Sequence, residues 1–146
     1  MIKIRREQIA GMNMHYKYRT LDYFFKTQQA LGIKNIEFWC ARPHFLLDDY
    51  GFEDAAELKK NAADYGLTIG AFSPECTIYN YALCCHDETA RKHSIGYFEN
   101  GIRAAAEAGA KVMVFNCCGG GLPEWQSGHT SWTRRHRLQR CCSLFW

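Results

Sequence analysis

Polar side chains able to bind a ligand or move a proton stand at the ends of short apolar runs: Asn13 and His15, Glu37 and His44, Glu75, and Asn116. Carboxylates, imidazoles and amides placed this way offer acid–base and hydrogen-bonding chemistry to a ligand held above several strand ends. Gly119-Gly120-Gly121 follows the last of them and could present backbone amides to a phosphate, although the same residues suit any pliable loop. The eight cysteines are Cys40, Cys76, Cys84, Cys85, Cys117, Cys118, Cys141 and Cys142. Six of them form three adjacent pairs and none makes C-x-x-C, which argues against a zinc ribbon or a thioredoxin-type motif. Cys84-Cys85-His86 and Cys117-Cys118 lack metal-ligand spacing, so reduced and mostly packed thiols are expected.

The elements that position these groups repeat along the chain. Three segments share a helix-like stretch, a glycine and an apolar run: Ala30-Leu31-Gly32-Ile33-Lys34-Asn35-Ile36-Glu37-Phe38, Asp64-Tyr65-Gly66-Leu67-Thr68-Ile69-Gly70-Ala71-Phe72, and Glu107-Ala108-Gly109-Ala110-Lys111-Val112-Met113-Val114-Phe115. Each glycine sits where a helix ends in a residue of positive φ, and each run of about five residues has the content of a strand. Leu21, Phe24, Phe25, Gln28 and Leu31 follow Thr20, a good N-cap, at helical spacing. Ala55, Leu58, Ala62 and Tyr65 mark a second helix; Ile95, Phe98, Ile102 and Ala105 mark the apolar stripe of a third, capped by Asp87. A first strand is expected from about Ile9 to Met14, with Gly11 interrupting it.

The order is β-α-β-α-β-α-β, which implies a parallel sheet with right-handed crossovers. A dinucleotide-binding open sheet would carry G-x-G-x-x-G after its first strand, where this chain has His15-Tyr16-Lys17-Tyr18-Arg19. Polar residues at every strand end point instead to the mouth of a (β/α)8 barrel. Such a barrel needs about 250 residues and eight strands. This 146-residue chain supplies four strands, so the expected architecture is α/β, the N-terminal half of a TIM barrel.

Composition narrows the function classes. With 47% hydrophobic residues, 12 Gly and 3 Pro, the chain is neither collagen-like nor disordered in composition. No run approaches the roughly 18 apolar residues of a membrane span, and the charged start, Met1-Ile2-Lys3-Ile4-Arg5-Arg6-Glu7, leads into no apolar signal segment. A cytoplasmic protein with no membrane partner is expected. Residues 1–121 carry equal numbers of basic and acidic groups, so the whole excess of +3 lies in the tail. The body thus has no electrostatic footprint for nucleic acid.

Gly32-Ile33-Lys34-Asn35-Ile36-Glu37-Phe38-Trp39, Arg42-Pro43-His44, Ser73-Pro74-Glu75, Tyr79-Asn80, and Asp87-Glu88 followed by Arg91-Lys92 together resemble the sugar phosphate isomerase/epimerase family, with its xylose-isomerase-like TIM barrel. The resemblance covers roughly residues 7–121. It implies a reaction in which two carboxylates exchange a proton next to a carbonyl of a sugar or sugar phosphate, while a divalent metal (Mn, Mg or Co) stabilises the enediolate. It also places both carboxylates and the metal ligands on strands five to eight. No catalytic residue and no metal ligand is therefore expected in this chain. What it would contribute is the substrate wall: His44, Glu75 and Asn116 as hydrogen-bonding groups, Trp39 and Tyr79 as apolar or stacking surfaces.

The tail, residues 122–146, holds three of the four tryptophans and no Ala, Ile, Val, Lys or Asp, and shows neither helical nor strand period. The expectation is two regions, a partial barrel over 1–121 and an atypical basic, Trp-rich tail over 122–146 that is out of frame or disordered. Interleaved Arg and Trp could neutralise phosphates and stack bases, but with no ordered platform a nucleic-acid partner is not expected. A truncated isomerase or epimerase, inactive alone, is the leading expectation. A non-catalytic half-barrel that pairs with itself or with a separate second half is the alternative. Unpaired sheet edges imply a homo-oligomer or an aggregation-prone chain in either case.

Overall fold

The computed structural model describes residues 3–75, 81–85 and 87–115. Its elements are β1 (Ala10–Met12), α1 (Leu21–Ala30), β2 (Asn35–Cys40), α2 (Ala55–Asp64), β3 (Thr68–Pro74), α3 (Glu88–Glu107) and β4 (Val112–Met113). The four strands form one sheet in the order β1-β2-β3-β4, every pair parallel. This is the βα succession expected from the sequence. Tail residues, Asn116, Tyr79, Gly119-Gly120-Gly121, His86 and the cysteines Cys76, Cys117, Cys118, Cys141 and Cys142 lie outside the described residues. No helix among the described residues is long and apolar enough to cross a membrane.

All three helices begin and end by the same devices. Thr20, Asp54 and Asp87 accept the amides of Tyr23, Glu57 and Ala90, so each first turn has one of its otherwise unpaired donors satisfied. At the other end Gly32, Gly66 and Gly109 take φ of 69°, 69° and 78°. The next residue then bonds back across six: Ile33 to Gln28, Leu67 to Ala62, Ala110 to Ala105, at 3.0, 3.1 and 2.9 Å. This Schellman turn is the physical content of the repeat seen in sequence, and it aims each chain directly into the following strand.

Two sequence expectations need correction. The first strand stops at Met12, and Asn13–Tyr16 form a 3-10 turn because Asn13 turns its side chain, rather than its backbone, toward β2. Gly11 does not break that strand; a Cβ there would stand 2.0 Å from Gln28 Oε1, so its bareness admits the buried Gln28 against the sheet. On α3 the buried stripe is Ser94, Tyr97, Phe98, Gly101, Ala104 and Ala105, whereas Ile102 is 60% exposed. Apolar type alone misplaces that face by one position, because Gly101 and Ala104 are what let the helix approach the sheet.

Strand alternation gives the sheet two unlike faces. Ile36, Phe38, Cys40 and Phe72, each 0% exposed, join Phe24, Phe25, Leu58 and Tyr97 in the core beneath the helices. Glu37, Trp39, Ser73 and Glu75 belong to the opposite face, the one that a closed barrel turns inward. A register shift between Ile36 and Glu37 moves the pairing from Ile36–Ile69 to Glu37–Ala71, leaving Gly70 as the extra residue. Beyond it the pairs Phe38–Phe72, Trp39–Ser73 and Cys40–Pro74 bring the polar ends of β2 and β3 level.

Candidate functional site

Since the strands are parallel, the connections after β1, β2 and β3 all leave the same end of the sheet, and of the polar residues predicted from sequence Asn13, Glu37, His44 and Glu75 are engaged on this side. Trp39 Nε1–H donates to Glu75 Oε2 at 2.7 Å, with both residues buried. Ser73 Oγ–H donates to Glu37 Oε1 at 2.6 Å. Tyr97 donates its hydroxyl to the Glu75 carbonyl, and the Glu75 amide donates to Cys40 O at 3.1 Å. Both carboxylates of the inner face are thus oriented by neutral donors on the adjacent strand. Glu37 is held by the Ser73 hydroxyl and Glu75 by the Trp39 indole.

Asn13 and His44 form the other half of the network. The Asn13 amide accepts from Trp39 N at 2.7 Å and donates to Trp39 O at 2.9 Å, occupying the place the next β1 peptide would take in the ladder. Its second N–H meets His44 Nδ1 at 2.9 Å, and His44 Nε2 meets Arg19 O at 2.9 Å. The partners define the tautomer: Nδ1 accepts from an amide, so Nε2 carries the hydrogen given to a carbonyl. With both ring nitrogens engaged and 9% exposure, His44 ties the β2–α2 loop to the β1–α1 loop. The resemblance implies His44 as a substrate contact; in the structure its ring nitrogens meet Asn13 and Arg19 O.

A second cluster joins the next pair of loops. Asp49, after β2, accepts from Tyr81 OH at 2.9 Å and pairs closely with His93 on α3, and Tyr81 stacks on Tyr97 with ring centroids 3.9 Å apart. Burial alone would raise the Asp49 carboxyl, but the hydrogen bonds from His93, Tyr81 and its own backbone outweigh that and hold it below the ordinary carboxylate value. The same geometry pushes the Tyr81 phenol up to about 12, through burial first and then the bond to Asp49. Folding therefore favours the protonated phenol: that stabilisation is complete below the ordinary value of 10.0 and is lost as pH rises toward 12. Alkaline titration of phenolate absorbance should show a late step near pH 12 that Tyr81→Phe removes; an unchanged titration would contradict the burial described. Asp49 works in the opposite sense, stabilising above its unfolded value and losing that contribution as pH falls through its lowered one.

Of the five residues predicted for the substrate wall, the structure joins His44, Trp39 and Glu75 into one hydrogen-bonded network, while Tyr79 and Asn116 lie outside the described residues. Sequence reasoning misses the bridging role of Asn13, for which its position at a strand end is the available signal. It misses the Asp49–His93–Tyr81 cluster entirely, since His93 and Tyr81 stand 44 and 32 residues from Asp49 with no motif linking them. Cys40 and Cys84 are buried, and burial, then Glu53, pushes the Cys40 thiol upward, far from a nucleophile's range. Among the described residues no three His, Cys, Asp or Glu side chains converge as a metal cage.

Residues 25–144 match the family model described as the xylose isomerase-like TIM barrel. A fructoselysine 3-epimerase from Shigella flexneri is 27% identical over 101 residues, which cover 69% of this chain and 37% of that protein. This chain therefore spans little more than a third of the curated relative. A putative xylose isomerase from Rhodospirillum rubrum superposes with a TM-score of 0.67 at 13% identity, over 92% of this chain and 45% of that one. A D-psicose 3-epimerase solved in the presence of D-fructose gives 0.60 at 14% identity, over 86% and 42%. At such identities the structures speak for the fold alone, and they agree with the parallel α/β sheet. The chain belongs to the xylose isomerase-like TIM-barrel family, and its described residues form a four-stranded part of that barrel.

Proposed function

We propose that this chain supplies the substrate wall of a barrel that isomerises or epimerises a sugar or sugar phosphate, and that alone it binds sugar without turning it over. The observation that carries the reading is the buried Trp39–Glu75 pair on the inner face. An indole beside a fixed carboxylate offers an apolar ledge for a sugar's C–H face and an acceptor for its hydroxyls. Proton exchange at a carbon next to a carbonyl needs groups on both sides of the substrate. Glu37 and Glu75 approach from one sheet, so neither can serve as the opposing partner of the other. The similarity to a fructoselysine 3-epimerase supports this substrate class.

The test uses the full chain with D-fructose and D-psicose in deuterium oxide, followed by proton NMR, alongside calorimetric titration of each sugar. The expected result is measurable binding with no deuterium entering beside the carbonyl. Deuterium incorporation would overturn the inactivity, and absence of binding would overturn the wall. The second reading, a non-catalytic half-barrel that pairs with itself, is favoured by short outer strands and by Val112 and Val114, which are 56% and 45% exposed at the β4 edge. A dimer by light scattering that binds no sugar would favour it.

A further inference from the structure

We propose that Lys17 and Arg19 form an oxyanion subsite beside the sugar face, taking a phosphate or carboxylate group borne by the ligand; the inference rests on the sugar-binding reading above. The two residues line a hollow of about 510 Å³ with Leu21, Pro43 and His44, where the loops after β1 and β2 leave the same end of the sheet as the Trp39–Glu75 pair. No Asp or Glu lines this hollow, and among the described residues neither cation has a carboxylate partner. Each is steadied instead by an aromatic face: Lys17 Nζ stands 5.3 Å from the Tyr18 ring centroid, and the Arg19 guanidinium 5.3 Å from that of Tyr23. An aromatic face holds a cation without neutralising it, which leaves the charge available to an incoming anion.

The loop is also fixed from below. Arg19 N donates to Tyr16 O at 2.7 Å, and Arg19 O accepts from His44 Nε2 at 2.9 Å. His44 is held in turn by Asn13, which holds Trp39, which holds Glu75. A continuous chain of hydrogen bonds therefore connects the backbone that presents the guanidinium to the carboxylate of the sugar face. His44 and Asn13 are thereby positioning residues, setting where a charged substituent would lie relative to the ring. A guanidinium fork beside an ammonium point charge suits an oxyanion, whose several oxygens accept from both.

The experiment is calorimetric titration of the full chain with fructose, fructose 6-phosphate, glucuronate and inorganic phosphate, repeated on the K17Q/R19Q double variant. Both side chains are exposed, so the variant is expected to keep the wild-type circular dichroism spectrum. The sugar bearing an oxyanion should bind at least about tenfold more tightly than fructose, and the variant should erase that advantage while leaving fructose affinity in place. Fructose 6-phosphate against glucuronate distinguishes a phosphate from a carboxylate preference. Equal affinities in wild type and variant, or no binding of any oxyanion ligand, overturns the subsite. Oxyanion binding that the variant abolishes, with fructose failing to bind at all, sustains the subsite and removes the sugar-wall reading.

Discussion

Replacing Asn13 with alanine is expected to destabilise the chain by about 3 kcal/mol, since it strands the Trp39 N–H and C=O and the His44 Nδ1, each in a buried setting. Asn13 is 0% exposed, so water cannot take its place without opening the sheet. Asn13→Leu, which fills the space with an apolar side chain, should cost about as much, because the loss is one of hydrogen bonds rather than of packing. Urea unfolding of wild type and variants at one protein concentration measures the change, and an unaltered m-value shows that the same structure is being unfolded. Amide exchange at Trp39 gives the local reading: its N–H should lose protection first, ahead of the β2–β3 ladder. A cost below about 1 kcal/mol would mean that this network is solvated and that His44 and Arg19 are not held as described.

The legible part of this molecule is its punctuation. Thr20 and Asp87 at helix starts, with Gly32, Gly66 and Gly109 at helix ends, impose local geometry through side-chain oxygens and positive φ, so they can be read one segment at a time, while the Asp54 cap of α2 emerges only from the structure. The polar inner face is legible in outline, because Glu37, Glu75 and Asn13 stand at the ends of apolar runs. Which of them meet is not legible. The Glu37–Ser73 and Trp39–Glu75 bonds each span 36 residues and depend on the register shift at Gly70, which no local preference announces. The exposed Ile102 shows the same limit from the packing side. Tyr97 and Gly101 own that face of α3 because Gly101 sits against Pro74, Met113 and Leu47, and a helix-by-helix count of apolar residues cannot see a neighbour's shape.

Truncating Phe38 to alanine is expected to be the costliest single change, about 3–5 kcal/mol. Phe38 is 0% exposed and forms a triangle with Phe45 and Phe72, at centroid distances of 5.9 and 5.7 Å, with Phe45 set edge-on to both rings. Removing the ring forfeits its burial and leaves a void bounded by two other aromatic rings that hold their places. Phe38 is also the direct ladder partner of Phe72, so its loss loosens the alignment that places Trp39 opposite Ser73 and within reach of Glu75. The inner face should therefore weaken with the core: sugar affinity in Phe38→Ala should fall together with stability, although the ring lies on the opposite face of the sheet. Phe38→Leu, which keeps most of the volume, should cost less than about 1.5 kcal/mol. The two variants separate the possibilities. A large alanine cost with a small leucine cost describes a tightly packed half-barrel core, while two small costs describe a sheet whose helix side is loosely packed. In the latter case the polar inner face could not be held at the distances on which its chemistry depends.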